Sequence, residues 1–481
     1  MTTVGPGHSY FLTRMLDVLR HGGDTPAFVR EGRTTSYAEA YELLLGLHGT
    51  LAAAGIGEGD VLAVLGGNRP ETVLGQLAAQ LLGATVLLVP ASASTPDRNA
   101  VLRAADVTAY AVADGSPVDG PHRTIRLRPS DVHAEVRLPA GVHTLFASGG
   151  TTGAPKLISH RGIYDGMAHI FRPDPQGAHR VLLVAPLSHL TGNCSALGAL
   201  LCGDTVVLHE GFDAEAVLRS IAANRITHLS LTPPRLARLL DHPALARTDT
   251  SSVRALSLGA SPLPARRLEQ ALAVFGPVVG QGYGLTEAPM IASISAAEYE
   301  GHPERLHSVG RIVPGMEARI ENGEVLVRGL ALMDDYHGAA ELTDRAFTDG
   351  WLRTGDLGRF DADGYLYLLD RADDVIVTGE HGTKVHSTVV EDALTGHPLV
   401  REAAVFGVPG PDGMLVHAVV AADPGLTAGA VRDHVRTVLG GEHFVPVHVT
   451  VTDALPLTPI GKVDKAALAG RRGRRVSRPA R

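Results

Sequence analysis

The chain alternates between two hydrophobic periods along most of its length. AEAYELLLGLHGTLAAAG, residues 38–55, has apolar residues at helical spacing and ends on a glycine. DVLAVLGG follows as a short apolar run closed by glycines, the pattern of a buried strand. ETVLGQLAAQLLG then leads into ATVLLVP, DAEAVLRSIAANR into ITHLSLTP, and VRALSLGA is followed by PARRLEQALAVFG and PVVGQGYG. Helix-length segments between apolar strands predict parallel sheets covered by helices on both faces. After about residue 300 the texture changes. EARIENGEVLVRG alternates on both sides of Asn322-Gly323, a hairpin signature, and GYLYLLDRADDVIV also reads as strand. Beyond the charged joint DRADD, residues 370–374, one helix, STVVEDALTGH, and the strands EAAVFGV and LVHAVVA predict a compact α+β unit.

The longest apolar stretch, ETVLGQLAAQLLGATVLLVP, contains Gln76, Gln80 and Gly83. It predicts a helix turning into a buried strand, not a membrane span. The N-terminus lacks a basic start followed by an apolar run, so no signal peptide is expected, and a cytoplasmic location without membrane partners follows. A net charge of −8 makes no case for nucleic acid; the basic end GRRGRRVSRPAR, residues 470–481, is expected to be a disordered, solvated tail. Cys194 and Cys202 imply two buried thiols and no disulfide framework.

The first chemical signal is FASGGTTGAPK, residues 146–156. Glycines let backbone amides approach an anion, threonine hydroxyls add donors and lysine adds a compact charge, which together describe a phosphate cradle. The spacing is not that of a P-loop, because Lys156 is followed by leucine. Lysine usage singles out the same position. The chain has 43 Lys and Arg, of which only Lys156, Lys384, Lys462 and Lys465 are lysine. Where a positive charge suffices, this sequence uses arginine; a lysine marks a place where a point charge on a flexible stem matters.

Ser148 to Lys156 resembles the phosphate loop of the adenylate-forming superfamily, which includes acyl- and aryl-CoA ligases, adenylation domains of peptide synthetases and firefly luciferase. Further motifs follow in that family's order: LGAS (258–261), GYGLTE (282–287), WLRTGDLG (351–358), DRADD, and LPLTPIGKVDK (455–465). The resemblance runs from about residue 20 to 468 and is nearest to AMP-forming acyl-CoA ligases. It implies a large N-terminal domain of helix-covered sheets with a small β-barrel part, residues 1–369, a hinge at 370–373 with Asp373 as the hinge position, and a small mobile C-terminal domain, residues 374–481.

The resemblance also implies the site residues. Ser148, Gly149, Gly150, Thr151, Thr152, Gly153 and Lys156 would cradle the leaving pyrophosphate. Gly259, Ala260, Ser261, Gly282, Tyr283 and Gly284 would flank adenine. Thr286 would touch phosphate, and Glu287 with Thr152 would hold Mg²⁺. Asp356 would accept from the ribose hydroxyls, and Arg371 would contact ribose or phosphate. Lys462 would bridge the attacking carboxylate and the α-phosphate. His189, in APLSHLTGN, falls on the gating position of the acyl pocket; by residue type alone a core histidine is equally expected. The implied reaction activates a carboxylic acid with MgATP, releases pyrophosphate and passes the acyl group to a thiol, usually CoA.

Two features qualify that expectation. His189-Leu190 disfavours a 2-hydroxybenzoate, and no aspartate stands near it to receive a substrate amine. The segment after the hinge, IVTGEHGTKVHSTVVE, runs about two residues longer than the family's usual form and contains Lys384, either a contact for CoA phosphate or an acidic carrier protein, or a solvent-exposed lysine. The alternatives are therefore a carrier-protein acceptor, a diazotase-like activation of nitrite with an aryl amine, and a silent nucleotide-binding protein.

Overall fold

The computed structural model describes residues 7–113, 122–132, 134–148, 155–379, 382–411, 413–458 and 461–469, with Ser148 by its backbone alone. The basic end thus lies outside the described residues.

Apolar runs with β-branched residues form the strands, and the helices between them start on readable signals. Ser36 closes a capping box with Glu39 at the head of Tyr37–Ala53, Asp213 caps Ala214–Ala223, and Pro70 opens Pro70–Leu81. The resulting class is the expected one: a large α/β region, a curled antiparallel sheet and a small C-terminal α+β unit. Among the described residues the first sheet has seven strands, with a parallel core of Thr144–Ser148, Thr85–Leu88, Val61–Leu65, Ala109–Val112 and Thr124–Arg126. The second has nine. Its parallel core runs Val279–Tyr283, Ala255–Gly259, His228–Leu231, Arg180–Leu183, Thr205–Leu208 and Pro26–Arg30. Helices Pro70–Leu81 and Leu190–Leu201 are buried almost all round and fill the main core between the sheets.

That core contains a polar knot. Asn193 Nδ2 donates to Gln76 Oε1 at 2.6 Å, and the Tyr164 hydroxyl donates to Asn193 Oδ1 at 2.6 Å. Gln76, an interruption of the apolar stretch, is thus a bonded core residue of a helix that leads into strand Thr85–Leu88. No helix among the described residues is long and apolar enough to cross a membrane.

The curled sheet holds Met316–Glu321, Glu324–Gly329, Trp351–Phe360, Phe347–Thr348 and Leu366–Arg371, with Asn322-Gly323 at the first hairpin turn. Beyond Arg371 come a 3₁₀ turn, Ala372–Asp374, and the hairpin Ile376–Thr378/Thr383–Val385. The C-terminal unit packs Val400–Gly410, Gly413–Ala422 and His448–Thr452 against two helices, Ser387–Thr395 and Ala428–Leu439. The second helix corrects the expectation of one. Its sequence, AGAVRDHVRTVL, places Val431, Val435 and Leu439 on one face, the two valines fully buried and Leu439 partly.

Removing the Tyr164 hydroxyl tests the knot. Tyr164→Phe leaves Asn193 Oδ1 without its shortest donor, so chemical denaturation should show a loss of about 1–3 kcal/mol; an unchanged unfolding midpoint would show that the knot is not stabilising.

Candidate active site

The predicted site residues that are described gather near the ends of the strands of the nine-stranded sheet. Open parallel sheets leave a crevice at the carboxyl ends of their strands, because the chain departs there toward opposite faces. His189 stands at the head of helix Leu190–Leu201, and Thr232 stands between strand His228–Leu231 and helix Pro233–Leu240. Gly259 and Gly282 are register partners on adjacent strands. A Cβ on Gly259 would lie 2.7 Å from the Gly282 carbonyl oxygen, so this approach excludes a side chain. Ala260 follows with φ +70°, a left-handed conformation uncommon for a residue with a Cβ. The Ser261 hydroxyl beside it is buried without a hydrogen-bond partner among the described residues.

Asp356 is the best-buried acid of the site. The Tyr283 hydroxyl donates to its Oδ2 at 2.5 Å and Arg371 donates to its Oδ1 at 3.1 Å. Strand pairing dictates the second contact, since Asp356 and Arg371 are cross-strand partners. Burial pushes the Asp356 carboxyl up, and Arg371 and the Tyr283 hydroxyl oppose that rise. Burial, followed by the Asp356 charge, pushes the Tyr283 phenol well above its ordinary value, so it stays a donor. The sequence pointed to the Tyr283 ring; the structure adds this role for its hydroxyl. Glu324 holds the neighbouring backbone, accepting from Gly355 N–H at 3.0 Å while pairing with Arg353.

Glu287 is held by groups the sequence did not single out. The Tyr336 hydroxyl donates to Glu287 Oε1 at 2.8 Å, Met333 N–H donates to the Glu287 carbonyl at 2.7 Å, and His160 Nε2 lies 2.8 Å from the Thr286 carbonyl. Lys156 Nζ sits 5.4 Å from the centre of the Tyr336 ring. Ser148 and Lys156 face each other across two antiparallel strands, so the ends of the glycine loop are fixed. Gly149, Gly150, Thr151, Thr152 and Gly153 lie outside the described residues.

Lys462 reaches this site from the C-terminal unit. Its ammonium is pulled below the usual lysine value by burial first and Arg371 second, while Asp356 and Glu287 act in the opposite sense. His189 lies within the electrostatic range of Lys462 and Arg235; burial foremost, then those two charges, lowers it to about 4. It is therefore a neutral imidazole near pH 7. The segment carrying Lys462 rests on the large domain: Gly461 accepts from the Thr232 hydroxyl at 2.8 Å, and Leu455 accepts from Arg238 at 3.0 Å. Arg266 donates to the carbonyls of Thr395, His397 and Val400, and Arg267 to that of Arg401. Asp373 is exposed on its 3₁₀ turn, and Lys384 is exposed on the following hairpin. Neither touches the crevice residues named above in any hydrogen bond or ion pair described.

The donor set fits a magnesium nucleotide. Asp356 retains acceptor capacity beyond its two present donors, as a carboxylate has about four lone-pair sites. Ser261 offers an unsatisfied buried hydroxyl at the strand edge. Among the described residues no cluster of three or more His, Cys, Asp or Glu forms a metal cage. Magnesium in a nucleotide site needs none, since one or two carboxylates together with phosphate oxygens and water suffice.

Comparison with known proteins agrees with this geometry. Residues 17–337 match the AMP-binding enzyme family, and residues 389–462 match the AMP-binding enzyme C-terminal domain. The chain is 32% identical to the medium/long-chain-fatty-acid–CoA ligase FadD8 of Mycobacterium tuberculosis, over 91% of this chain and 84% of that protein. Its fold superposes on the amide bond synthetase McbA of Marinactinospora thermotolerans with a TM-score of 0.82 and 32% identity, over 96% of this chain and 99% of that one. It also superposes on the o-succinylbenzoate coenzyme A synthetase MenE of Bacillus subtilis, solved with ATP and a magnesium ion, with a TM-score of 0.81 and 29% identity over 94% and 98% of the two chains. The chain accordingly belongs to the AMP-binding enzymes, the adenylate-forming superfamily of acid-activating enzymes.

Proposed function

We propose that this enzyme joins a carboxylic acid to ATP as an acyl-adenylate, with release of pyrophosphate, and then transfers the acyl group to the thiol of CoA. The observation that supports this best is the entry of Lys462 into a crevice that also holds His189, Glu287, Asp356 and Arg371. A carboxylate oxygen attacks the α-phosphorus and the bond to pyrophosphate breaks. Several negative oxygens meet in that step, so fixed positive charge lowers the barrier more than proton transfer does. In this reading Lys462 bridges the acid and the α-phosphate, and Lys156 with Thr151 and Thr152 takes the leaving pyrophosphate. Asp356 and Arg371 orient the ribose end. Glu287 and Thr152 would hold Mg²⁺, which supplies charge neutralisation to the phosphates. Tyr336, through its bond to Glu287 and its ring beside Lys156, keeps those two groups in fixed relation.

His189 borders the acid and contributes shape and a neutral imidazole. In the second step the thiol sulfur attacks the acyl carbonyl and AMP leaves. A turn of the C-terminal unit about the hinge at Asp373 would withdraw Lys462 and admit the thiol. FadD8 and MenE support CoA as acceptor by their names. The fold likeness to an amide bond synthetase favours a second reading, in which an amine takes the acyl group.

ATP–pyrophosphate exchange over a panel of fatty, aryl and amino acids and nitrite, with CoA or an amine then added to the hits, tests the proposal. Exchange with a carboxylic acid and a CoA thioester product is expected; an amide without thioester would move the reading to the second acceptor, and exchange with nitrite alone would overturn it. Lys462→Ala should abolish exchange yet spare thioester formation from supplied acyl-adenylate, and equal loss of both steps would contradict its role. Because His189 gains its proton only at about pH 4, His189→Gln should leave the shape of the exchange profile between about pH 6 and 8 unchanged. A limb near the usual histidine value that vanishes in this variant would refute the neutral imidazole.

A further inference from the structure

Thr232 occupies the cap position of helix Pro233–Leu240 in an extended conformation, yet its side chain makes no cap hydrogen bond. The helix begins with two prolines, so its first two positions have no N–H to offer, and the Arg235 N–H is the first donor a cap hydroxyl can serve. The hydroxyl is directed elsewhere. It donates at 2.8 Å to the carbonyl of Gly461, the residue before Lys462, in a buried contact between the large domain and the Lys462 segment. Gly461 has φ +83°, and a Cβ on it would lie 2.9 Å from Thr232 Oγ1 and 2.5 Å from Arg235 Nε. The Lys462 segment therefore rests on the first turn of this helix with no room for a side chain between them.

We infer that Thr232 is a positioning residue for adenylation: its hydroxyl holds Gly461, and through it Lys462, at the reacting centre, and turns back to cap its own helix when the C-terminal unit leaves. The inference rests on the two-step reading above. Its physical content is an exchange of partners. In the docked state the hydroxyl donates to the Gly461 carbonyl; in the released state it accepts from the Arg235 N–H, as threonine does at other helix heads. The hydroxyl is satisfied in both states, so its loss falls on how firmly Gly461 and Lys462 are held while docked and not on the docking equilibrium. Residue type alone would not reveal this, because Thr-Pro-Pro reads as an ordinary helix start.

Thr232→Val keeps the shape and removes the hydroxyl; Thr232→Ser keeps the hydroxyl. The two half-reactions are measured separately, as ATP–pyrophosphate exchange and as product formation from supplied acyl-adenylate, alongside hydrogen exchange in peptides containing Gly461 and Lys462. The valine variant should lose about tenfold in pyrophosphate exchange, the effect of one buried neutral hydrogen bond. Transfer from acyl-adenylate should stay within about twofold, hydrogen exchange at Gly461 and Lys462 should speed up, and serine should restore wild-type behaviour in all three. Wild-type pyrophosphate exchange in the valine variant, equal loss of both half-reactions, or failure of serine to restore would each overturn the inference. If the wild-type protein exchanges pyrophosphate with no acid, the functional reading fails instead. Hydrogen exchange in the two variants then decides the contact alone: faster in valine and normal in serine supports it, and no difference overturns it.

Discussion

The buried carboxylate of Asp356 is the constraint on which the crevice depends. It lies in the curled sheet, receives the hydroxyl of Tyr283 from the end of the nine-stranded sheet, and receives Arg371 from the last strand before the 3₁₀ turn. A charge taken out of water must be matched by donors, and here the donors come from both of the sheets that wall the site. The lean of one sheet on the other is thereby tied to a single acid. Arg371 serves Asp356 from one side of its strand, while its neighbour Asp370 turns the other way and accepts from the hydroxyl of Ser387 in the C-terminal unit. Alternation along one strand thus assigns consecutive residues to the two parts of the molecule.

The same economy governs the four lysines. Lys156 lies 5.4 Å from the centre of the Tyr336 ring, and Lys462 lies within electrostatic range of Arg371, Asp356 and Glu287. Lys465 does something else: its ammonium is 2.8 Å from Glu391 and 3.1 Å from the Ser387 hydroxyl, a pair that anchors the Lys462 segment to its own unit. Lys384 is exposed on its hairpin. Scarcity marked the positions worth inspecting; surroundings decided what each one does.

Local periodicity carried most of the fold. Apolar runs bounded by glycine became strands, and Asn322-Gly323 became a turn, because burial and backbone strain act within a few residues. Helix Ala428–Leu439 is not among the expected elements, although Val431, Val435, Val438 and Leu439 fall at helical spacing. Gly259 and Tyr283 end strands that the pattern predicts, whereas Asp356 lies within a strand, His189 caps a helix and Lys462 lies in a loop, and these three stood out by motif. The supports of the site were not legible. Tyr336, His160, Glu324 and Thr232 act through contacts spanning tens to hundreds of residues, and nothing about a Tyr in DDYHG or a Thr before two prolines distinguishes it until the chain is folded.

The contacts between the large domain and the C-terminal unit have an asymmetry with a practical meaning. Thr232, Arg238, Arg266 and Arg267 supply side-chain donors, and what they grip is mostly backbone, the carbonyls of Gly461, Leu455, Thr395, His397, Val400 and Arg401; Arg238 also lies 3.9 Å from the Glu402 carboxylate. A carbonyl is common to every amino acid, so the gripping side must keep its side chains while the gripped side need only keep its path. Gly461, Ser387 and Glu402 are exceptions: the first admits no Cβ against Thr232 and Arg235, the second gives its hydroxyl to Asp370, and the third pairs with Arg238. At the remaining carbonyl contacts the small unit's seat on these arginines depends on its backbone trace, so substitutions there can accumulate without unseating it.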